Sequence, residues 1–155
     1  MATVHHSAIV TRDVEASLVF WRDGLGFDVL MDETFEGPWP VLFGWEPTSI
    51  TLRSVFLGDA SAADSGIVEL VAAAGTEPRS SAAANAEGFF LLSLSADLDE
   101  ILPRLDALGV GGQPTVSAVG PVRLAVVHDP NGVRVELMDI AARSNLAAMS
   151  GARDE

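Results

Sequence analysis

The chain contains three histidines, His5, His6 and His128, and no cysteine. Any metal ion must therefore be held by imidazole and carboxylate, and neither a disulfide framework nor a thiol nucleophile is possible. His5 and His6 stand in an apolar, strand-like run from Val4 to Thr11. Alternation along a strand puts His6 on one face with Ala8 and Val10, and turns His5 to the other with Ser7 and Ile9. Two acids occupy matching settings, Glu69 in a strand led by Gly66 and Glu136 in one led by Gly132, each a carboxylate among aliphatics. Glu69 shares a face with Ile67 and Val71, and Glu136 shares one with Arg134 and Met138. Two carboxylates gathered in an apolar pocket repel each other and lose hydration unless a cation or an arginine compensates. Arg53 and Arg123 also lie in strand-like runs, and either one turned inward would hold a carboxylate or phosphate of a substrate. Nucleophilic catalysis has no support, because no nucleophile-elbow sequence is present. Gly109 to Pro114 lacks the strand-before, helix-after setting of a phosphate loop and reads as a turn. His128, just before Asp129-Pro130-Asn131-Gly132, reads as a hairpin-end residue.

The elements that must position these residues repeat along the chain. Asp13-Val14-Glu15 running to Leu25-Gly26 matches Asp97-Leu98-Asp99 running to Leu108-Gly109. In each, an apolar run (Val4 to Thr11; Phe89 to Ser95) leads to an acid suited to capping a helix. The apolar spacing that follows (Val14, Leu18, Trp21; Leu98, Ile101, Leu102, Leu105) predicts about three helical turns, stopped by the glycine. Pro103 falls within the first turn or so, where a missing N–H is tolerated. Short strand candidates come next: Phe27 to Met31, Ser49 to Leu57 and Gly66 to Ala72, then Gly112 to Val119, Val122 to Val127 and Gly132 to Met138. This is the pattern of a meander after each helix, an α+β chain of two βαβββ halves. Thr34 to Pro47 reads as an aromatic-rich loop whose Phe35, Trp39, Phe43 and Trp45 either line a ligand pocket or staple the loop to the core. The expected organisation is one domain over residues 1–141, with module one at 1–73, a linker at 74–88, module two at 89–141 and a tail at 142–155.

With 155 residues there is enough chain for one core shared by two half-domains. The formal charge of −13 repels phosphate backbones and anionic lipid heads, which argues against nucleic acid and membrane partners. No apolar run approaches the roughly 18 residues that span a bilayer. The N-terminus lacks a basic segment followed by a long apolar stretch, so the expected location is cytoplasmic.

The stretch HHSAIVTRDVEASLVFWRDGLGF resembles the opening of a module of the vicinal oxygen chelate superfamily, which includes glyoxalases, bleomycin-resistance proteins and extradiol dioxygenases. DPNGVRVELMD resembles its closing hairpin. The resemblance implies two modules forming a curved mixed sheet around a cavity, with helices outside and metal ligands drawn from the first and last strand of each module. It assigns His6, Glu69 and Glu136 as ligands of a divalent ion (Fe, Mn, Ni or Zn), with water or substrate oxygens in the open positions. A fourth ligand position, counted back from Asp97 as His6 stands from Asp13, falls on Phe90, or on Phe89 if the second strand is shorter. Glu69 and Glu136 are the implied proton carriers, while Phe89, Phe90, Trp39 and Trp45, with Arg53 and Arg123, are the expected substrate contacts. The implied activity is that of a metal-dependent lyase, isomerase, epimerase or dioxygenase acting on an oxygen-rich carbonyl or aromatic compound. The alternative is metal-free small-molecule sequestration. A homodimer is also implied.

Overall fold

Strand alternation and helix capping account for most of the architecture. In the computed structural model of the protein, residues 1–38, 44, 50–62, 66–78, 87–119 and 122–139 are described. The chain divides into two units, Met1–Ser80 and Ser81–Glu155. In the first, β1 (His6–Val10) leads to α1 (Val14–Leu18), which widens into π-type turns over Val19–Gly24. Strands β2 (Asp28–Gly37), β3 (Ile50–Gly58) and β4 (Ile67–Ala73) follow. The sheet order is β1-β4-β3-β2, with β1 parallel to β4 and the other pairs antiparallel.

The turn from β1 into α1 is fixed by side chains. Asp13 caps the helix by accepting from the Ala16 N–H at 2.9 Å, satisfying a donor the helix itself cannot. Thr11 and Ser17 are buried, their hydroxyl oxygens lie 2.9 Å apart and each comes within 3.0 Å of the Asp13 carbonyl oxygen, so one hydroxyl donates to that carbonyl and the other to its neighbour. The widened turns let consecutive aromatic residues, Phe20 and Trp21, both disappear from solvent. They join Val55, Leu57 and Leu70, also fully buried. Strand β2 runs further than the sequence suggests: Thr34 to Gly37 are paired with β3, Phe35 opposite Leu52 and Gly37 opposite Ile50. Alternation from Met31 through Glu33 to Phe35, answered by β3, outweighs the glycine as a breaker.

The second unit repeats the plan with β5 (Leu92–Ala96), α2 (Leu98–Leu108), β6 (Gly111–Val119), β7 (Val122–His128) and β8 (Arg134–Asp139). Its order is β5-β8-β7-β6. Asp97 caps α2 by accepting from the N–H groups of Asp99 and Glu100, and Gly109 ends it with φ 67°, the left-handed conformation favoured at that site. Pro103 lies beyond the first turn, yet the helix continues to Leu108. The β7–β8 turn is built on buried Asp129, whose carboxylate accepts from the N–H groups of Asn131 and Val133 at 2.8 Å each. Among the described residues no helix is long and apolar enough to cross a membrane.

Candidate functional site

In the first unit, parallel pairing sets His6 opposite Ile67 and Ala8 opposite Glu69, which puts the His6 and Glu69 side chains on one face. His6 Nε2 lies 3.3 Å from Glu69 Oε2. The second oxygen of that carboxylate accepts from the Ser54 hydroxyl at 2.6 Å. Ser54, on β3, is buried. The other nitrogen of His6 is also engaged, with Nδ1 2.9 Å from His5 Nδ1. Such a contact needs one nitrogen protonated and the other bare, so the two rings fix each other's tautomer. The His6 ring leans on Phe56 at 5.4 Å between centroids.

The face carrying this row is identified by its neighbour. Arg53, next to Ser54 in β3, reaches Glu15 of α1 at 3.0 Å, so Ser54, Glu69 and His6 occupy the face turned away from the helix. Buried Leu52, Ile67 and Val71 share that face, leaving a polar row in apolar surroundings. His6 retains 37% of its side-chain exposure and Glu69 16%, so solvent-borne groups can reach the pair.

These donors suit a divalent ion. Two ligand atoms at roughly 2.1 Å from a common ion, subtending a right or tetrahedral angle, lie about 3.0 to 3.4 Å apart. The observed 3.3 Å falls in that interval. Each candidate ligand has its remaining heteroatom held by a neighbour, Ser54 or His5, the outer support that ligand orientation requires. Among the described residues, no three His, Asp or Glu side chains gather at one point.

The second unit repeats the carboxylate without the imidazole. Ser93 is opposite Glu136, and its hydroxyl donates to Glu136 Oε2 at 2.7 Å. Because Ala8 is opposite Glu69 and Ser93 opposite Glu136, the two acids are equivalent, and the residue in His6's place is the one opposite Arg134. Leu92 pairs with Val135, so that residue is Leu91. Counting from Asp97 gives Phe90 or Phe89, and the register corrects it. Val10 and Ser95 are equivalent strand positions, opposite Val71 and Met138, but one residue fewer separates Ser95 from its capping Asp97. Phe89 and Phe90 precede β5 and are 65% and 57% exposed.

Arg53 and Arg123 occupy equivalent strand positions, both on the helix-bearing faces. Arg53 grips both oxygens of Asp32 at 2.8 and 2.7 Å in addition to Glu15. Those bonds hold the Asp32 carboxyl below the usual carboxylate range and push the guanidinium upward. Arg123 pairs with Asp99 of α2 at 3.0 Å and Asp139 at 2.8 Å, which likewise holds Asp99 down. His128 ends β7, exposed, as the sequence suggests. Trp39 and Trp45 lie outside the described residues. Sequence reasoning missed Ser54 and Ser93, whose only signal is a hydroxyl among strand aliphatics.

Known proteins share this layout. The family model of the Glyoxalase/Bleomycin resistance protein/Dioxygenase superfamily matches residues 3–137. The lactoylglutathione lyase-like protein terB of Aspergillus terreus is 35% identical over 147 residues, covering 87% of this chain and 74% of its own. Among solved structures, the trypanothione-dependent glyoxalase I of Leishmania major matches with TM-score 0.69 at 20% identity, over 97% of this chain and 95% of that one. A glyoxalase family protein of Bacillus cereus matches with TM-score 0.71 at 17% identity, over 90% and 94%. The doubled βαβββ plan, the carboxylate repeated at equivalent places and these matches together make the chain a member of the Glyoxalase/Bleomycin resistance protein/Dioxygenase superfamily.

Proposed function

We propose that the protein is a glyoxalase-like enzyme that rearranges or cleaves a small, oxygen-rich carbonyl or aromatic compound with one divalent ion held by His6 and Glu69, water or substrate oxygens filling its other positions. The observation that carries this reading is the meeting of His6 Nε2 and Glu69 Oε2 at 3.3 Å on the face away from the helix, with an equivalent carboxylate, Glu136, in the second unit. The lyase-like name of the Aspergillus terreus relative supports the reaction class. A bound divalent ion would act as a Lewis acid on a carbonyl or enediolate oxygen. Glu136 is held through one oxygen by Ser93, which leaves its other oxygen to take a proton from carbon beside a carbonyl and return it to the neighbouring atom. Ser54 and His5 keep the Glu69 carboxylate and the His6 ring aimed together. Pairing of two copies belongs to the same reading, and sedimentation at micromolar concentration checks it.

The rival reading is metal-free binding of a planar compound. It is favoured by Leu91 standing where the first unit has His6, and by the exposed rings of Phe89 and Phe90. Metal analysis of protein purified without chelator, followed by manganese titration of His6→Ala, Glu69→Gln and Glu136→Gln, separates the two. The enzyme reading expects one equivalent of metal, with His6→Ala and Glu69→Gln each weakening binding at least tenfold and Glu136→Gln, which removes a proton carrier, leaving it unchanged. Absence of binding by the unaltered protein leaves the sequestration reading.

A further inference from the structure

The second unit carries a cation that its first-unit counterpart lacks. Opposite Leu91 on β8 stands Arg134, the equivalent of Ile67, which is buried in the first unit. Arg134 shares a face with Glu136 two residues on. Register on the other side sets His128 of β7 directly opposite Arg134, so two groups able to donate to an anion adjoin on one face. The guanidinium lies 4.6 Å from the centroid of the Phe90 ring, and its Nη1 donates to the Phe90 carbonyl at 3.4 Å.

Charge makes this placement informative. Acids outnumber basic residues 22 to 9 in the chain, and Arg22, Arg53, Arg104 and Arg123 are each ion-paired with one. Among the described residues, Arg134, like Arg12, has no carboxylate within ion-pair distance, although Glu136 stands on the same strand face as Arg134. Seated over an aromatic ring, the guanidinium still has N–H groups beyond the one given to the Phe90 carbonyl, and a guanidinium is the group that grips a carboxylate through two parallel bonds. Residues two apart on one strand face are separated by roughly 6.6 Å, about the length of a small aromatic or keto acid.

We infer that Arg134, flanked by His128 and backed by Phe90, is the subsite for a carboxylate on the substrate, so that the compound handled beside Glu136 is a planar or oxygen-rich organic acid rather than a neutral molecule. This rests on the proposed function in that it takes the Glu136 face as the reactive one.

Benzoate and its neutral counterpart benzamide are suitable probes, titrated by calorimetry or by NMR shifts of the unaltered protein and of Arg134→Gln, Arg134→Lys and Phe90→Leu. The field of a chain carrying −13 favours benzamide over benzoate, so tighter binding of benzoate requires a local cation. The expected result is benzoate preference in the unaltered protein, a loss of about tenfold or more in Arg134→Gln, and an intermediate loss in Arg134→Lys and in Phe90→Leu. Equal or better binding of benzamide, or an Arg134→Gln protein with undiminished benzoate affinity and an unchanged melting temperature, overturns the inference. Manganese titration of the same proteins keeps the two ideas apart. Metal binding unaffected by Arg134→Gln alongside lost benzoate binding supports both. Benzoate binding that depends on Arg134 in a protein that takes no manganese supports the carboxylate subsite and removes the metal reading alone.

Discussion

Ser54 tests how far the carboxylate beside His6 depends on its outer support. Its hydroxyl is the donor to Glu69 Oε1, in a buried position where water is a poor substitute. Ser54→Ala is expected to lower manganese affinity about 10- to 100-fold and to reduce folding stability by about 1–3 kcal/mol, the cost of stranding a charged acceptor. Calorimetry and urea denaturation measure the two effects separately. Ser93→Ala is expected to do less, because Ser93 is exposed and water can replace its hydroxyl. That His6 and Glu69 belong to one site was implied by the family resemblance; strand parity gave only each residue's face-mates within its own strand, and the parallel pairing of β1 with β4 brings the two side chains together. The part played by Ser54 was not legible, because its approach to Glu69, 15 residues on, depends on the register in which β3 pairs with β4. Leu91 was hidden for a more local reason: a count back from Asp97 assumes that both halves connect strand to helix with the same number of residues.

Each helix is fastened to its sheet by the same two devices, an aspartate cap and an arginine from the sheet that closes on the helix's first turn. Replacing Asp13 or Asp97 by Ala is expected to cost about 1 kcal/mol at either site, read as a fall in the urea midpoint. The arginine ties add a dependence on pH. Arg53 holds the Asp32 carboxyl below its ordinary range, so the folded state binds this proton less tightly than the unfolded chain does. Its stabilising contribution is therefore complete at neutral pH, and it declines as acid carries the solution through the lowered value. At this half-exposed site screening limits the effect to about 1 kcal/mol or less. In Arg53→Met, the stability difference from the parent is expected to be present at about pH 7 and to shrink as acid carries the solution through the lowered Asp32 value. Helix starts and stops were readable from Asp13, Asp97 and Gly109, because capping is a local matter. The reach of β2 to Gly37 was not, since β3 supplies the partners that hold its last residues extended.

Over the whole molecule the dominant electrostatic fact is an excess of negative charge, −13 on 155 residues. Self-repulsion of this kind weakens as the screening length shortens, from about 30 Å at 0.01 M salt to about 3 Å at 1 M. Adding sodium chloride over that range is expected to raise the melting temperature, and a flat or falling response contradicts it. The doubled plan invites the idea that the halves are interchangeable, but the serines deny it. Glu69 receives its hydroxyl from β3 and Glu136 from β5, strands on opposite sides of their acids. Anyone building chimaeras from the two halves must therefore move the last strand of the first half with its antiparallel neighbour, and that of the second with its parallel one. A swap of the last strands alone, as though they were identical cassettes, would transplant each acid and leave its hydroxyl behind.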